Sequence, residues 1–175
     1  MKTLTDQLAN YAAYHRDPRN IATHFIGIPM IVLAVATLLA RPSLMVGGLS
    51  LTPALLVSVL TVLYYLRLDL RFGLLMGALM ALNLYVAQWL AAGSTTLWLT
   101  SGIGLFVVGW AFQFVGHYYE GRKPAFVDDI MGLIIGPLFV VAEVVFAVGL
   151  RAPVLQEIES RVGPVRKRDM QAGAT

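Results

Sequence analysis

The chain contains three histidines, His15, His24 and His117, each at the edge of a long apolar segment and among other polar residues. Imidazole beside a hydrocarbon core is costly unless it pairs, faces water or binds something. Near the start the sequence reads Tyr14-His15-Arg16-Asp17-Pro18-Arg19-Asn20, followed by Thr23-His24; far downstream it reads Gln113-Phe114-Val115-Gly116-His117-Tyr118-Tyr119-Glu120. Three imidazoles with a nearby carboxylate are a ligand set for a redox-active metal such as iron(II).

The spacing is compatible with convergence. His117 and Glu120 are three residues apart and Gln113 is four before His117, so on a helix the three form one polar stripe. His15 and His24 are nine apart, which on one straight helix turns them to opposite faces at ~100° per residue. Pro18 disfavours helix at Asp17 and can open a new helix at its own position. A helix–turn–helix at Asp17-Pro18 therefore brings both imidazoles toward one centre. Asn20, four residues before His24, is placed to orient it.

The elements that must hold these residues are membrane helices. Of the 175 residues, 58% are hydrophobic and 13% charged, far from the balance of a soluble domain. Five apolar stretches, Ile21–Ala40, Leu49–Leu66, Leu70–Ala92, Leu97–Tyr119 and Ile130–Leu150, approach the ~20 residues that cross ~30 Å of hydrocarbon. Polar and apolar residues do not alternate, which disfavours a β-barrel. The expected fold is all-α, a polytopic helical membrane protein with four to five transmembrane segments. Residues 1–150 form one membrane domain and residues 151–175 a polar, basic C-terminal tail. Before the first span, Thr3–Tyr14 reads as a short helix capped by Thr5 or Asp6, with Leu4, Leu8 and Tyr11 on one face, suited to lying on a membrane surface. Gly136-Pro137 interrupts the last stretch, which is either a broken, re-entrant pair of half-helices or a Pro-kinked full crossing.

Charge supplies orientation. Lys2, Arg16 and Arg19 precede the first span, Arg67 and Arg71 lie between the second and third, and Arg122 and Lys123 follow the fourth. By the positive-inside rule these segments are cytoplasmic, which places all three histidines at the same membrane face. The expected location is the inner membrane of a bacterium, or the endoplasmic reticulum of a eukaryote, with the metal site on the cytoplasmic side. A net charge of +3 is too small to argue for nucleic acid as a partner, and the absence of cysteine excludes disulfides and thiolate ligands.

Each residue also has a plainer reading. A histidine at a helix end is often a surface group, and His117 with Glu120 could pin two helices. Glu143, deep in the last stretch, is a functional suspect, or it satisfies backbone opened by Pro137. Gly73 and Gly77 fit a GxxxG pattern of close helix packing.

The pattern Tyr11-x-x-x-His15-x-x-x-x-Asn20-x-x-x-His24-x-x-Gly27-x-Pro29, then Gln113-x-x-Gly116-His117-x-x-Glu120-x-x-x-Pro124-Ala125, then Gly136-Pro137 and Glu143, resembles the Mpo1-like family. The resemblance extends to about Leu150 and is specific in the two histidine blocks. It implies a membrane-embedded, iron(II)-dependent dioxygenase that removes one carbon from 2-hydroxy fatty acids by α-oxidation, with 2-hydroxy fatty acid and O2 as substrates. Carried over by position, it implicates His15, His24 and His117 as Fe(2+) ligands, with Glu120 as the nearby carboxylate. Beside it, Arg16, Asn20, Arg122 and Lys123 are candidates for holding the substrate's acid group, and Gln113 and Glu143 for supporting the ligands. The competing readings are a haem-binding membrane protein and a proton-relay transporter or channel. The latter finds only Ser58, Thr61, Asn83 and Gln88 as polar residues inside the second and third spans. Oligomeric state is not legible.

Overall fold

The computed structural model describes residues 2–169. Seven helices are present among them: α1 (Leu4–Ala12), α2 (Pro18–Ala40), α3 (Pro53–Leu68), α4 (Leu70–Ala91), α5 (Thr95–Glu120), α6 (Gly132–Ala147) and α7 (Ala152–Val162). A hairpin of β1 (Leu44–Val46) and β2 (Leu49–Leu51) follows α2. The chain divides into two compact units, residues 1–28 with 111–175, and residues 29–110.

The first unit holds the polar constellation. Helix α1 is opened by a capping box: Thr3 Oγ1 accepts from the Asp6 N–H at 3.2 Å, and Asp6 accepts from the Thr3 N–H at 2.8 Å. The cap is thus Thr3, two residues earlier than the Thr5 expected; Asp6 is its reciprocal partner. Leu4, Leu8 and Tyr11 do share a face, but it is buried, and α1 packs against α6 and α7 instead of lying on a surface.

The last apolar stretch is bent, though not where its proline suggested. Helix α6 continues through Pro137, because an internal proline removes one ladder hydrogen bond and flanking turns can still hold the helix. The break comes after Ala147. Gly149 takes φ +80°, the Leu150 N–H reaches back to Val145 O at 3.0 Å, and α7 departs at 115°. This is the left-handed glycine stop of a helix C-terminus, and Pro153 at the head of α7 favours a fresh start.

Residues 152–162, expected as plain polar tail, form the amphipathic helix α7, with Ile158 buried and Arg161 bonded to Asp6 and Glu157 at 2.8 Å each. The final residues, 170–175, lie outside the described residues.

In the second unit the expected span Leu49–Leu66 is shortened from its start. Gly47 and Gly48 both have positive φ, and Val46 pairs with Leu49 across them. Two such residues make the type I′ turn whose twist suits a hairpin, so Leu49–Leu51 is strand. Helix α3 begins afterward, with Thr52 Oγ1 accepting from the Leu55 N–H and Pro53 in the first turn. Its 16 residues rise about 24 Å, less than the hydrocarbon thickness. Helices α3 and α4 pack closely where Gly73 faces the Leu66 backbone: a Cβ there would stand 2.5 Å from Leu66 Cα. The small-residue pattern thus marks a contact.

Among the described residues, three helices, α2, α4 and α5, are long and apolar enough to cross a membrane, and the α6–α7 pair makes four if it counts as one bent span. Large apolar side chains face outward, including Leu56, Leu74, Leu82 and Trp89. Meanwhile His15, Asn20 and His24 are at most 1% exposed. Polar groups inside and apolar groups outside are the arrangement of a protein whose solvent is lipid.

Candidate metal centre

All three histidines meet within the first unit. Helix α1 ends at Ala12, the chain turns, and α2 starts at Pro18, so His15 sits on the linker while His24 lies almost two turns into α2. His117 comes from the last turn of α5. One nitrogen from each ring lies within 4.8 Å of the others. Ring centroids are 4.5 Å apart for His15–His24, 5.0 Å for His15–His117 and 5.1 Å for His24–His117, all edge to face.

The backbone fixes two of the three tautomers. His15 Nδ1 is 2.7 Å from Tyr11 O, and His24 Nδ1 is 2.9 Å from Asn20 O. A carbonyl oxygen only accepts, so both Nδ1 atoms carry the hydrogen. In neutral rings both Nε2 atoms then present lone pairs, and these face each other at 3.0 Å. Two lone pairs at that distance repel unless a proton or a metal cation lies between them. A proton is disfavoured, because burial, with smaller contributions from His24 and His117, holds the His15 imidazole well below its ordinary range. The Nδ1 of His117 is buried without a hydrogen-bond partner. Neutral imidazoles with Nδ1–H tied to carbonyls and Nε2 presented inward are the usual state of metal-binding histidines. The donor set therefore fits a divalent transition metal.

The surroundings exclude water and allow close approach. Tyr11 stacks on His15 at 4.1 Å with an interplanar angle of 3°, and the Phe139 ring lies 5.7 Å from His15. Gly116, next to His117, lets α5 approach α2: a Cβ there would collide with Thr23 Oγ1 and Asn20 Oδ1 and stand 3.2 Å from His24 Nδ1.

Glu120, expected to complete the ligand set, is turned to another task. Its carboxylate accepts from the Arg16 N–H at 3.0 Å, the Asp17 N–H at 2.9 Å and Asn20 Nδ2 at 2.9 Å. It holds the backbone just before α2 and so ties the His15 linker to the helix that carries His117, while Asp17 itself caps α2, its Oδ1 accepting from the Arg19 N–H at 2.9 Å. Asn20 orients His24 through its carbonyl, while its side chain joins Glu120 and Tyr14 O.

The basic residues expected near a substrate are mostly engaged. Arg122 Nη1 donates to Ala13 O at 2.8 Å, and Lys123 pairs with Asp128 at 2.5 Å. Arg16 donates through Nε to Ala12 O and His15 O and through Nη1 to Gly163 O, each at 3.0 Å. Its Nη2 is buried without a hydrogen-bond partner, with Glu143 Oε1 at 3.9 Å. Glu143 thus supports the linker through Arg16. Gln113 is buried one turn before His117, its Nε2 without a hydrogen-bond partner.

Sequence reading missed the parts played by Tyr11, Phe139, Asp17 and the segment after Gly163. For Tyr11 a signal existed: it precedes His15 by four residues as Asn20 precedes His24. The end of α1 leaves the Tyr11 carbonyl able to accept from a side chain.

A helical membrane protein with a buried three-histidine centre is the class that fold and site define. The chain matches the family described as 2-hydroxy-palmitic acid dioxygenase Mpo1-like over residues 1–148, and it belongs to that family. A relative in Saccharomyces cerevisiae, named 2-hydroxy-palmitic acid dioxygenase MPO1, is 37% identical over 149 residues, covering 83% of this chain and 82% of its own. No solved structure matches. Membership in this family supports a role in 2-hydroxy fatty acid metabolism.

Proposed function

We propose that this protein is an iron(II)-dependent dioxygenase that shortens 2-hydroxy fatty acids by one carbon, with His15, His24 and His117 holding the metal. The observation that carries this reading is the pair of inward Nε2 lone pairs at 3.0 Å, with both Nδ1–H groups committed to carbonyls. Bound iron(II) would supply a centre at which O2 is activated beside a substrate chelating through its 2-hydroxyl and carboxylate.

The protein's own groups do the rest. Tyr11 O and Asn20 O hold the two rings in the metal-binding tautomer. Tyr11 and Phe139 cover His15 and keep bulk water off it. Glu120 fixes the linker without joining the ligand set. The acyl chain of the substrate extends among apolar helix faces. The reaction balances as one O2 consumed and the C1–C2 bond broken, with C1 leaving as carbon dioxide, C2 becoming the new carboxyl carbon and one water formed. Arg16, Arg19, Arg122 and Lys123 flank the centre in sequence, which supports placing it on the cytoplasmic side of the membrane.

A haem between His15 and His24 is disfavoured by distance. Axial nitrogens on opposite sides of one iron stand about 4 Å apart, whereas His15 and His24 Nε2 are 3.0 Å apart and edge to face. The test is to mix anaerobically purified, iron-loaded protein with 2-hydroxypalmitate and O2. The fatty acid shortened by one carbon should appear, with O2 uptake matching substrate loss. Substrate recovered unchanged by protein that retains its iron would contradict the reading.

A further inference from the structure

We propose that the first unit carries an anion site for the phosphate of an anionic membrane lipid, separate from the three-histidine centre. A cavity of about 1000 Å³ lies where the chain enters α2 and leaves α5. Five cationic residues line it: Arg16, Arg122, Arg166, Lys167 and Arg168. Three acids also line it, Asp17, Glu120 and Asp169, and all three have partners. Asp17 is paired with Arg19 at 2.7 Å and accepts from the Arg168 N–H at 2.8 Å. Glu120 is occupied by the N–H groups of Arg16, Asp17 and Asn20. The side chains of Arg166 and Lys167 have no hydrogen-bond or ion-pair partner among the described residues. Arg16 lines the wall as well, but its Nη2 faces Glu143 Oε1 at 3.9 Å, so the unpaired charge is that of Arg166 and Lys167. Unspent positive charge around an open cavity selects an oxyanion.

The position names its source. The cavity lies at the ends of two helices long enough to cross a membrane, the level at which lipid headgroups stand and basic residues recognise anionic lipid. The wall bearing Arg166–Arg168 is fastened by backbone: the Arg166 N–H donates to Arg16 O at 2.9 Å, and Arg168 O accepts from Arg19 Nη2 at 3.0 Å. Side-chain substitutions there leave those bonds in place. This wall lies beyond the residues matched by the family.

Native mass spectrometry of the full chain, titrated with phosphatidylglycerol or phosphatidylcholine, tests the site. Phosphatidylglycerol should bind as one adduct per chain, favoured over phosphatidylcholine by about tenfold or more and weakened by salt. The double variant R166A/K167A should lose about tenfold in affinity and R166K/K167R should keep it; R71A, at another helix end, should bind like the parent. Competition by inorganic phosphate would show recognition of the oxyanion itself; lack of competition would show that the acyl-bearing headgroup is needed, and both support the site. Equal binding of the two lipids, undiminished binding by R166A/K167A, or a phosphate adduct without a phosphatidylglycerol adduct would overturn it. R166A/K167A keeps its metal and H24A keeps its lipid if both proposals hold, so failure of one is distinct from failure of the other.

Discussion

At the scale of the residue, the central fact is that two main-chain carbonyls decide what two imidazoles can do. Tyr11 O and Asn20 O take the Nδ1 hydrogens, which leaves both Nε2 atoms as donors to a cation. Glu120 shows how a carboxylate one turn from His117 can serve position instead. Replacing it with Gln exchanges charge-assisted bonds for neutral ones and loses acceptor capacity toward Arg16, Asp17 and Asn20. The expected outcome for E120Q is a loss of about 2 kcal/mol of stability with metal content kept, read by thermal unfolding and metal analysis on the same sample. If Glu120 were a ligand, metal would fall as it does in a histidine variant. Gly116→Ala is the steric counterpart. Its Cβ would collide with Asn20 and Thr23, so α5 must move away from α2. A destabilisation of about 1–3 kcal/mol and a marked drop in metal retention are expected; unchanged values for both would remove the close approach from the account.

At the scale of the element, the helix–turn–helix at Pro18 was legible because proline acts locally on the residue before it. The three long spans were legible because hydropathy over ~20 residues is a strong signal. The hairpin was hidden inside an apolar run, where Gly47-Gly48 is its sole cue. The α6 break was misplaced because Pro137 is the louder residue while Gly149 does the stopping. Convergence of the histidines was legible from charge and spacing, but the duty of Glu120 was not, since its partners lie about a hundred residues away. Helix α7 passed as tail because its partner surface on α1 is equally remote. Asp6, which closes the α1 cap and meets Arg161 of α7, gives these ties a pH signature. The Thr3 N–H, then the Arg161 guanidinium, hold Asp6 at about 2, below its ordinary 3.8. A depressed carboxylate contributes stability that is fully present above its ordinary value and is lost as pH falls toward the native one. The gap in unfolding temperature between parent and D6N should therefore be constant above pH 3.8 and close between there and about pH 2. A gap independent of pH would refute these ties.

At the scale of the whole molecule, polar groups are gathered inside while the helices turn apolar faces outward. That arrangement makes the buried centre expensive when its lone pairs face one another unscreened. Metal binding should stabilise the native state by mass action, roughly 2.7 kcal/mol at a hundredfold excess over the dissociation constant. Chelation should lower the unfolding temperature of the parent and leave a histidine variant unmoved; a parent indifferent to chelator would argue against a metal-held core. The most direct test of the central claim is metal quantification on anaerobically purified protein. About one iron per chain in the parent, and little or none in each of H15A, H24A and H117A with folding retained, is the result this account predicts. Iron at full occupancy in any of the three variants would contradict it.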